Sequence, residues 1–214
     1  MPEKPAILVA TTNPGKLAEL TAMLGELAEQ VCWKTLADFP GLPPVAEDGS
    51  TFAENARKKA LGYAAAAGML TLADDSGLVI DALRGQPGVR SARFAAEEAK
   101  KNPDRKTLDR LNYEKVLRLL ENVPAERRTA RFVCCLCLAD AENVLLETEG
   151  TFEGLITEKP LGENGFGYDP IFWVPALQKT VAQLTPQEKN QISHRAQAVH
   201  RFRPLLEQFL RQTL

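Results

Sequence analysis

The sequence predicts an α/β layer fold, on two observations. Apolar runs of strand length alternate with stretches whose leucines and alanines recur at helical spacing. The first run, Ala6-Ile7-Leu8-Val9-Ala10, is continuously apolar, as expected of a buried central strand. It ends in Thr11-Thr12-Asn13-Pro14-Gly15-Lys16. Leu17, Leu20, Leu24 and Leu27 then mark a helix that Asn13 can cap, with Pro14 at its first position. The proline-rich stretch Phe39 to Pro44 reads as a connection, and Ser50 or Thr51 can cap a helix that begins near Phe52 and carries Ala56, Ala60, Tyr63 and Ala67 on its apolar side.

Leu70 to Ala73 predicts a strand stopping at the turn Asp74-Asp75-Ser76-Gly77, with the apolar pattern resuming over Leu78 to Leu83 and turning again at Gly85-Gln86-Pro87-Gly88. A helix is predicted over Thr107 to Leu120, with Leu108, Leu111, Leu117 and Leu120 as its stripe. Arg131 to Ala139 and Val144 to Gly150 read as neighbouring strands, and Phe152 to Thr157 as a continuation of the sheet. Gly162 to Asp169 is too glycine-rich for a regular element. A last helix starts near Ser193 and carries Ala198, Phe202, Leu205, Leu206 and Phe209.

At 214 residues the chain suits one domain or two tightly joined lobes. Its 26 basic and 28 acidic side chains give a net charge of -2, which argues against a nucleic-acid-coating surface but not against a local basic pocket. Cys134, Cys135 and Cys137 share one predicted strand, which sends alternate side chains to opposite faces, so they cannot converge on a zinc ion. They are read as free thiols serving as small core hydrophobes, and reduced cysteines fit a reducing compartment. With no signal segment and no apolar run near membrane-spanning length, the expectation is a cytoplasmic protein with no membrane partner.

Four segments carry candidate chemistry. At Thr11 to Lys16, orphan N–H groups of a helix start favour phosphate oxygens, and Lys16 adds positive charge. A plain capping turn explains Asn13 and Pro14 equally well, though it has no need of Lys16. The pair Asp74-Asp75 repels itself unless a cation is near, and magnesium favours such oxygen ligands, with Glu47 and Asp48 available from the preceding loop. Neighbours in extended chain point apart, so one aspartate is read as ligand or base and the other as a tie for the loop. In Gly162 to Pro170, Phe166 offers a flat face for a base, whereas Tyr168 suits a core role better. Glu188 to Arg195 gathers Lys189, His194 and Arg195 near a helix start, a pattern suited to an anion or base site.

In order along nearly the whole chain, these segments resemble the inosine triphosphate pyrophosphatase (Ham1-like) family. The matching text is Ala10 to Lys16, Phe52-Ala53-Glu54-Asn55-Ala56 with Lys59-Ala60, Ala73 to Leu78, Pro87 to Arg93, Gly165 to Phe172, and Ser193-His194-Arg195-Ala196. The resemblance implies an elongated mixed sheet flanked by helices, two lobes around a nucleotide cleft, and a homodimer. It also implies magnesium-dependent hydrolysis of ITP, dITP and XTP to the monophosphate and pyrophosphate. On this sequence it makes Glu47 a metal ligand, Asp75 a metal ligand and the proton acceptor, and Thr11, Thr12, Asn13, Pro14, Gly15 and Lys16 the phosphate-contacting turn. Lys59, Ser76, Phe166, Gly167, Tyr168, Asp169, Lys189, His194 and Arg195 become further substrate contacts. The charged stretch Ala96 to Asp109 is longer than the family's usual link and is expected to be an exposed loop. Two other readings compete: a pyrimidine-directed, Maf-like pyrophosphatase, and a nucleotide sensor without turnover.

Overall fold

The computed structural model describes residues 4–11, 14–99 and 103–213. Its strands are β1 Ala6–Val9, β2 Cys32–Thr35, β3 Leu70–Ile80, β4 Thr129–Ala139, β5 Val144–Ile156, β6 Phe172–Val174 and β7 Lys179–Thr180. The helices are α1 Pro14–Leu24, α2 Phe52–Ala67, α3 Arg105–Leu119, α4 Pro186–Ile192 and α5 His194–Thr213. The strands form one mixed sheet in the order β2-β1-β3-β4-β5-β6-β7, as the α/β expectation requires. β1 runs parallel to β2 and β3, with Ile7 opposite Trp33 and Leu70. Parallel neighbours need long crossovers, and α1 and α2 lie in those two connections. β5, β6 and β7 are antiparallel, joined through Leu155–Trp173 and Trp173–Thr180.

Local chemistry sets the helix ends. Thr51 caps α2 by accepting the Glu54 N–H at 3.1 Å. The short α4, which the sequence reading did not separate from α5, begins with a capping box: the Thr185 hydroxyl accepts from Glu188 N–H, the Glu188 carboxylate accepts from Thr185 N–H, and Pro186 stands at the first position. Extended Ser193 then ends α4, and α5 starts afresh at His194.

Several expectations need correction. Asp74 to Gly77 is not a turn after a strand: β3 passes straight through it. The two predicted strands on either side of Thr151 are one, β5. β2, β6 and β7 were not anticipated; at four, three and two residues they are too short for a periodic signal. The charged stretch 96–109 is not all loop, because α3 begins at Arg105 behind its cap Asp104; Lys100, Lys101 and Asn102 lie outside the described residues. Along α3 the buried positions are Asp109, Asn112 and Val116; of the expected stripe only Leu120, just past the helix end, is buried, and Leu108, Leu111 and Leu117 are half-buried. Leu205, read as core, is 38% exposed. Cys134, Cys135 and Cys137 are buried free thiols as expected, whereas Cys32 is exposed. Burial pushes the Cys137 thiol up to about 12, so it behaves as a small apolar group.

The chain divides into two compact units. The first comprises Met1–Asp75, Cys134–Gly150 and His194–Leu214, the second Ser76–Val133 and Thr151–Ser193. In the first, Ile7, Val9, Leu72 and Leu136 from the sheet pack with Leu20 and Leu24 of α1 and Phe202 and Leu206 of α5. In the second, Leu78, Ile80 and Phe132 pack with Val116 and Leu120 and with Phe172; the Phe132 and Phe172 ring centroids are 4.4 Å apart. Each fully buried Leu or Phe contributes roughly 2 kcal/mol. Among the described residues, no helix is long and apolar enough to cross a membrane.

Candidate functional site

Adjacent residues of a strand face opposite ways, and β3 uses this to give its two aspartates different surroundings. Asp74 faces α1 and α5. Its carboxylate pairs with the Lys16 ammonium, accepts from Arg195 Nε at 3.1 Å and lies 3.2 Å from the Cys134 thiol. Burial alone would push this carboxyl up, but Arg195 and Lys16 hold it well below the usual range. The Arg195 guanidinium is 2% exposed and also pairs through Nη1 with Glu19. Burial works against its charge, yet Asp74 and Glu19 raise its pKa. A recess beside this cluster is lined by Val9, Thr11, Leu20, Leu72 and Leu136 together with the three charges.

Asp75 faces α2. Lys59, on the second turn of α2, places its ammonium 3.4 Å from Asp75 Oδ1 and 3.5 Å from Glu47 Oε2, and donates to the Asp74 carbonyl at 2.6 Å. Burial is the main cause that pushes the Asp75 carboxyl up; Lys59 draws it down and Glu47 pushes it up again. Asp75 Oδ2 is buried without an aligned hydrogen bond. A buried carboxylate oxygen left in that state is costly unless a further donor or cation meets it.

Sequence reasoning missed Asn55. It is fully buried on α2, one turn before Lys59, and its Oδ1 accepts the Gly49 N–H at 2.7 Å. That bond fixes which way the amide points. The amide nitrogen makes no aligned bond, yet the side chain sits close enough to Asp75 to draw its carboxyl down. Asn55 thus ties the loop that bears Glu47 to the helix that bears Lys59. The signal was available: Asn55 and Lys59 interrupt the otherwise apolar face Phe52, Ala56, Ala60 at helical spacing.

Of the predicted phosphate turn, Thr12 and Asn13 lie outside the described residues, Pro14 and Gly15 open α1, and Thr11 donates its N–H to Val9 O at 2.8 Å. His194 is buried at the start of α5. That start lies against β5: a methyl group on Gly150 would strike the His194 carbonyl oxygen and the Ala198 nitrogen, so only glycine permits the approach.

The remaining predicted residues, Ser76, Phe166, Gly167, Tyr168, Asp169 and Lys189, lie in the second unit. Asp169 is buried, and its Oδ2 accepts from the Phe166 N–H at 2.9 Å and from Lys189 Nζ at 2.8 Å. Lys189 sits 4.3 Å from the Phe166 ring centroid, a cation–π arrangement. Tyr168 is buried and donates its hydroxyl to Ser91 O at 2.8 Å, a core role. Gly167 donates its N–H to Asp109 Oδ2 at 2.9 Å. Glycines in such a loop can admit a ligand's close approach. At Gly165 the need is internal: φ is +78°, and any Cβ would strike the Asp169 carboxylate. Ser76 stands in β3, partly exposed.

Among the described residues, no three His, Cys, Asp or Glu side chains converge as a metal site. A cation held by Glu47 and Asp75 would therefore draw on other oxygens, which is how magnesium is usually bound beside phosphates. The Asp75 oxygen that lacks an aligned hydrogen bond, together with its acidic neighbour, fits that role.

Mixed sheet, crossover helices and a strand that splits two aspartates between cationic partners define an α/β protein with a carboxylate–lysine site. A family model described as Ham1 family matches residues 7–205. A protein of Shouchella clausii named dITP/XTP pyrophosphatase is 48% identical over 201 residues, covering 94% of this chain and 96% of that one. Another of that name, from Geobacillus kaustophilus, is 50% identical over 193 residues and 90% of each chain. The solved structure of a HAM1 protein from Coxiella burnetii superposes with a TM-score of 0.83 at 41% identity, over 95% of this chain and 99% of that one. The chain belongs to the Ham1 family.

Proposed function

We propose that this chain hydrolyses deaminated purine nucleoside triphosphates, of the ITP, dITP and XTP type, to the monophosphate and pyrophosphate with magnesium. The observation that carries the reading is Asp75: a buried carboxylate, raised by burial, with one oxygen unmatched and Glu47 next to the same lysine. The relatives named dITP/XTP pyrophosphatase supply the substrate class.

Water attacks the α-phosphorus, a new P–O bond forms, and the bond to pyrophosphate breaks. Asp75 orients the water and takes its proton as a carboxylate kept ionised by Lys59 and the cation. Lys16 and Lys59 neutralise phosphate oxygens where charge develops. Glu47 and Asp75 would hold magnesium, which when bound offsets negative charge on the polyphosphate and its leaving group. Phe166 stacks on the purine, supplying affinity more than choice. The 6-carbonyl of hypoxanthine or xanthine needs a donor, where adenine presents one of its own. With the Arg195 guanidinium engaged by Asp74 and Glu19, that donor is assigned to His194 or to a backbone N–H. A mismatch at that position costs about 1–3 kcal/mol.

The test is one magnesium-dependent assay across ITP, XTP, GTP, ATP and dTTP with product identification. The reading expects ITP and XTP to dominate and pyrophosphate to be released. Release of single phosphate with a diphosphate, or preference for dTTP, would overturn it. Tight binding without turnover would favour a sensor instead.

A further inference from the structure

Two consecutive backbone amides in the second unit are held by carboxylates from different parts of the chain. Phe166 donates its N–H to Asp169, three residues on in the same loop. Gly167 donates its N–H to Asp109, 58 residues away on α3. We propose that Asp109 is a positioning residue that fixes the Phe166 loop and so sets the aromatic face it offers to a purine; this rests on the base-stacking role proposed above for Phe166.

Asp109 is itself well held. It is 8% exposed, and its Oδ1 takes Arg105 Nε at 3.0 Å, so the two oxygens have separate partners. Asp104 anchors the start of α3 by accepting the Thr107 N–H at 2.8 Å. Three residues beyond Asp109, buried Asn112 accepts the Ala95 N–H at 2.7 Å and donates to Ala92 O at 3.4 Å. The first half of α3 is therefore pinned before and after Asp109, a rigid support for one charge-assisted bond.

Gly167 has φ +63°, a conformation that glycine adopts freely and leaves as freely. Without an external acceptor, the loop keeps the Phe166 N–H bond to Asp169, the Tyr168 hydroxyl bond and, on the Phe166–Gly167 peptide itself, only the long bond from Asp169 N–H to Phe166 O at 3.3 Å; Asp109 supplies the shorter, charge-assisted bond on the other side of that peptide. Both N–H groups flanking the Phe166 ring are spent inside the protein, so the loop presents its ring, with Lys189 over it, rather than hydrogen-bond donors. Orientation of that ring is what Asp109 would control.

Two measurements test this. The first needs no substrate: amide exchange followed by NMR. The Gly167 N–H of the wild-type protein should be protected, and Asp109→Ala should raise its exchange at least tenfold, while Asp109→Asn, whose Oδ1 can still accept, keeps it protected. The second is steady-state ITP hydrolysis. Asp109→Ala should raise KM about tenfold with kcat within threefold of wild type, and Asp109→Asn should restore KM to within twofold. An open-loop exchange rate at Gly167 in the wild type overturns the proposal even if the alanine variant fails to fold. Unchanged KM in a folded Asp109→Ala, or equal loss in the alanine and asparagine variants, overturns it as well. Absence of ITP hydrolysis by the wild type would defeat the proposed function, while a protected Gly167 N–H that depends on Asp109 would leave the loop support standing.

Discussion

Lys59 stands between Asp75 and Glu47, 3.4 Å from one carboxylate and 3.5 Å from the other. A single ammonium is thus shared by two acids that arrive from a strand and a loop. Taking it away leaves buried Asp75 without its cation beside a half-exposed Glu47 of like charge. We expect Lys59→Met to lower stability by about 3 kcal/mol, the scale for breaking a buried pair, with part of the loss recovered in millimolar magnesium. Urea unfolding with and without the metal is the check, and a variant as stable as wild type in its absence would contradict the shared-cation picture.

Asp75→Asn keeps the shape and removes the base. Turnover of ITP should fall by roughly 10²–10⁴, with KM changed far less. Near-normal kcat in a folded variant would remove Asp75 from the chemistry.

The Asp74 pair carries a pH signature. Its carboxyl is held well below the usual value by Arg195 and Lys16 against the opposing effect of burial. A depressed folded-state pKa stabilises at pH values above the unfolded value of about 3.9, and that stability is lost as pH falls toward the folded value. Asp74→Asn should therefore be less stable than wild type by about 3 kcal/mol at pH 7, with the gap narrowing from about pH 5 downward. Denaturant curves at pH 7, 5, 4 and 3 read this directly; a gap independent of pH would show that charge is not its source.

Phe166→Ala should cost about 1–3 kcal/mol of nucleotide binding, the usual worth of one base stacked on an aromatic ring, and Phe166→Tyr should retain most of it. Calorimetry with IMP, a product of the proposed reaction, measures this without turnover.

Removing divalent metal with a chelator should abolish ITP hydrolysis, and added magnesium should restore it. Full activity in excess chelator would exclude the assignment of Glu47 and Asp75 as ligands.

Much of this was legible in the residues. The continuous run of β1, the Thr51 cap of α2 and the apolar stripe of α5 each signal themselves locally, because propensity and burial agree there. β6 and β7 do not, since two or three residues show no period and owe their pairing to the strand beside them. β3 was misread at Asp74 because acidic residues are poor strand formers; Lys16, Arg195 and Lys59, remote in sequence, supply the charge that keeps them there. Among site residues, Asp75 and Lys59 stand out as charges beside apolar neighbours. Asp109 was hidden within a highly charged stretch, and only the fold reveals that it meets Gly167.

Gly150 sets how closely the start of α5 can lie on the sheet. Its missing side chain leaves the strand backbone against the opening turn of the helix, where any Cβ would strike the His194 carbonyl oxygen and the Ala198 nitrogen. Exchanging that one hydrogen for a methyl would force the helix start away from β5 and carry the buried His194 and Arg195 with it.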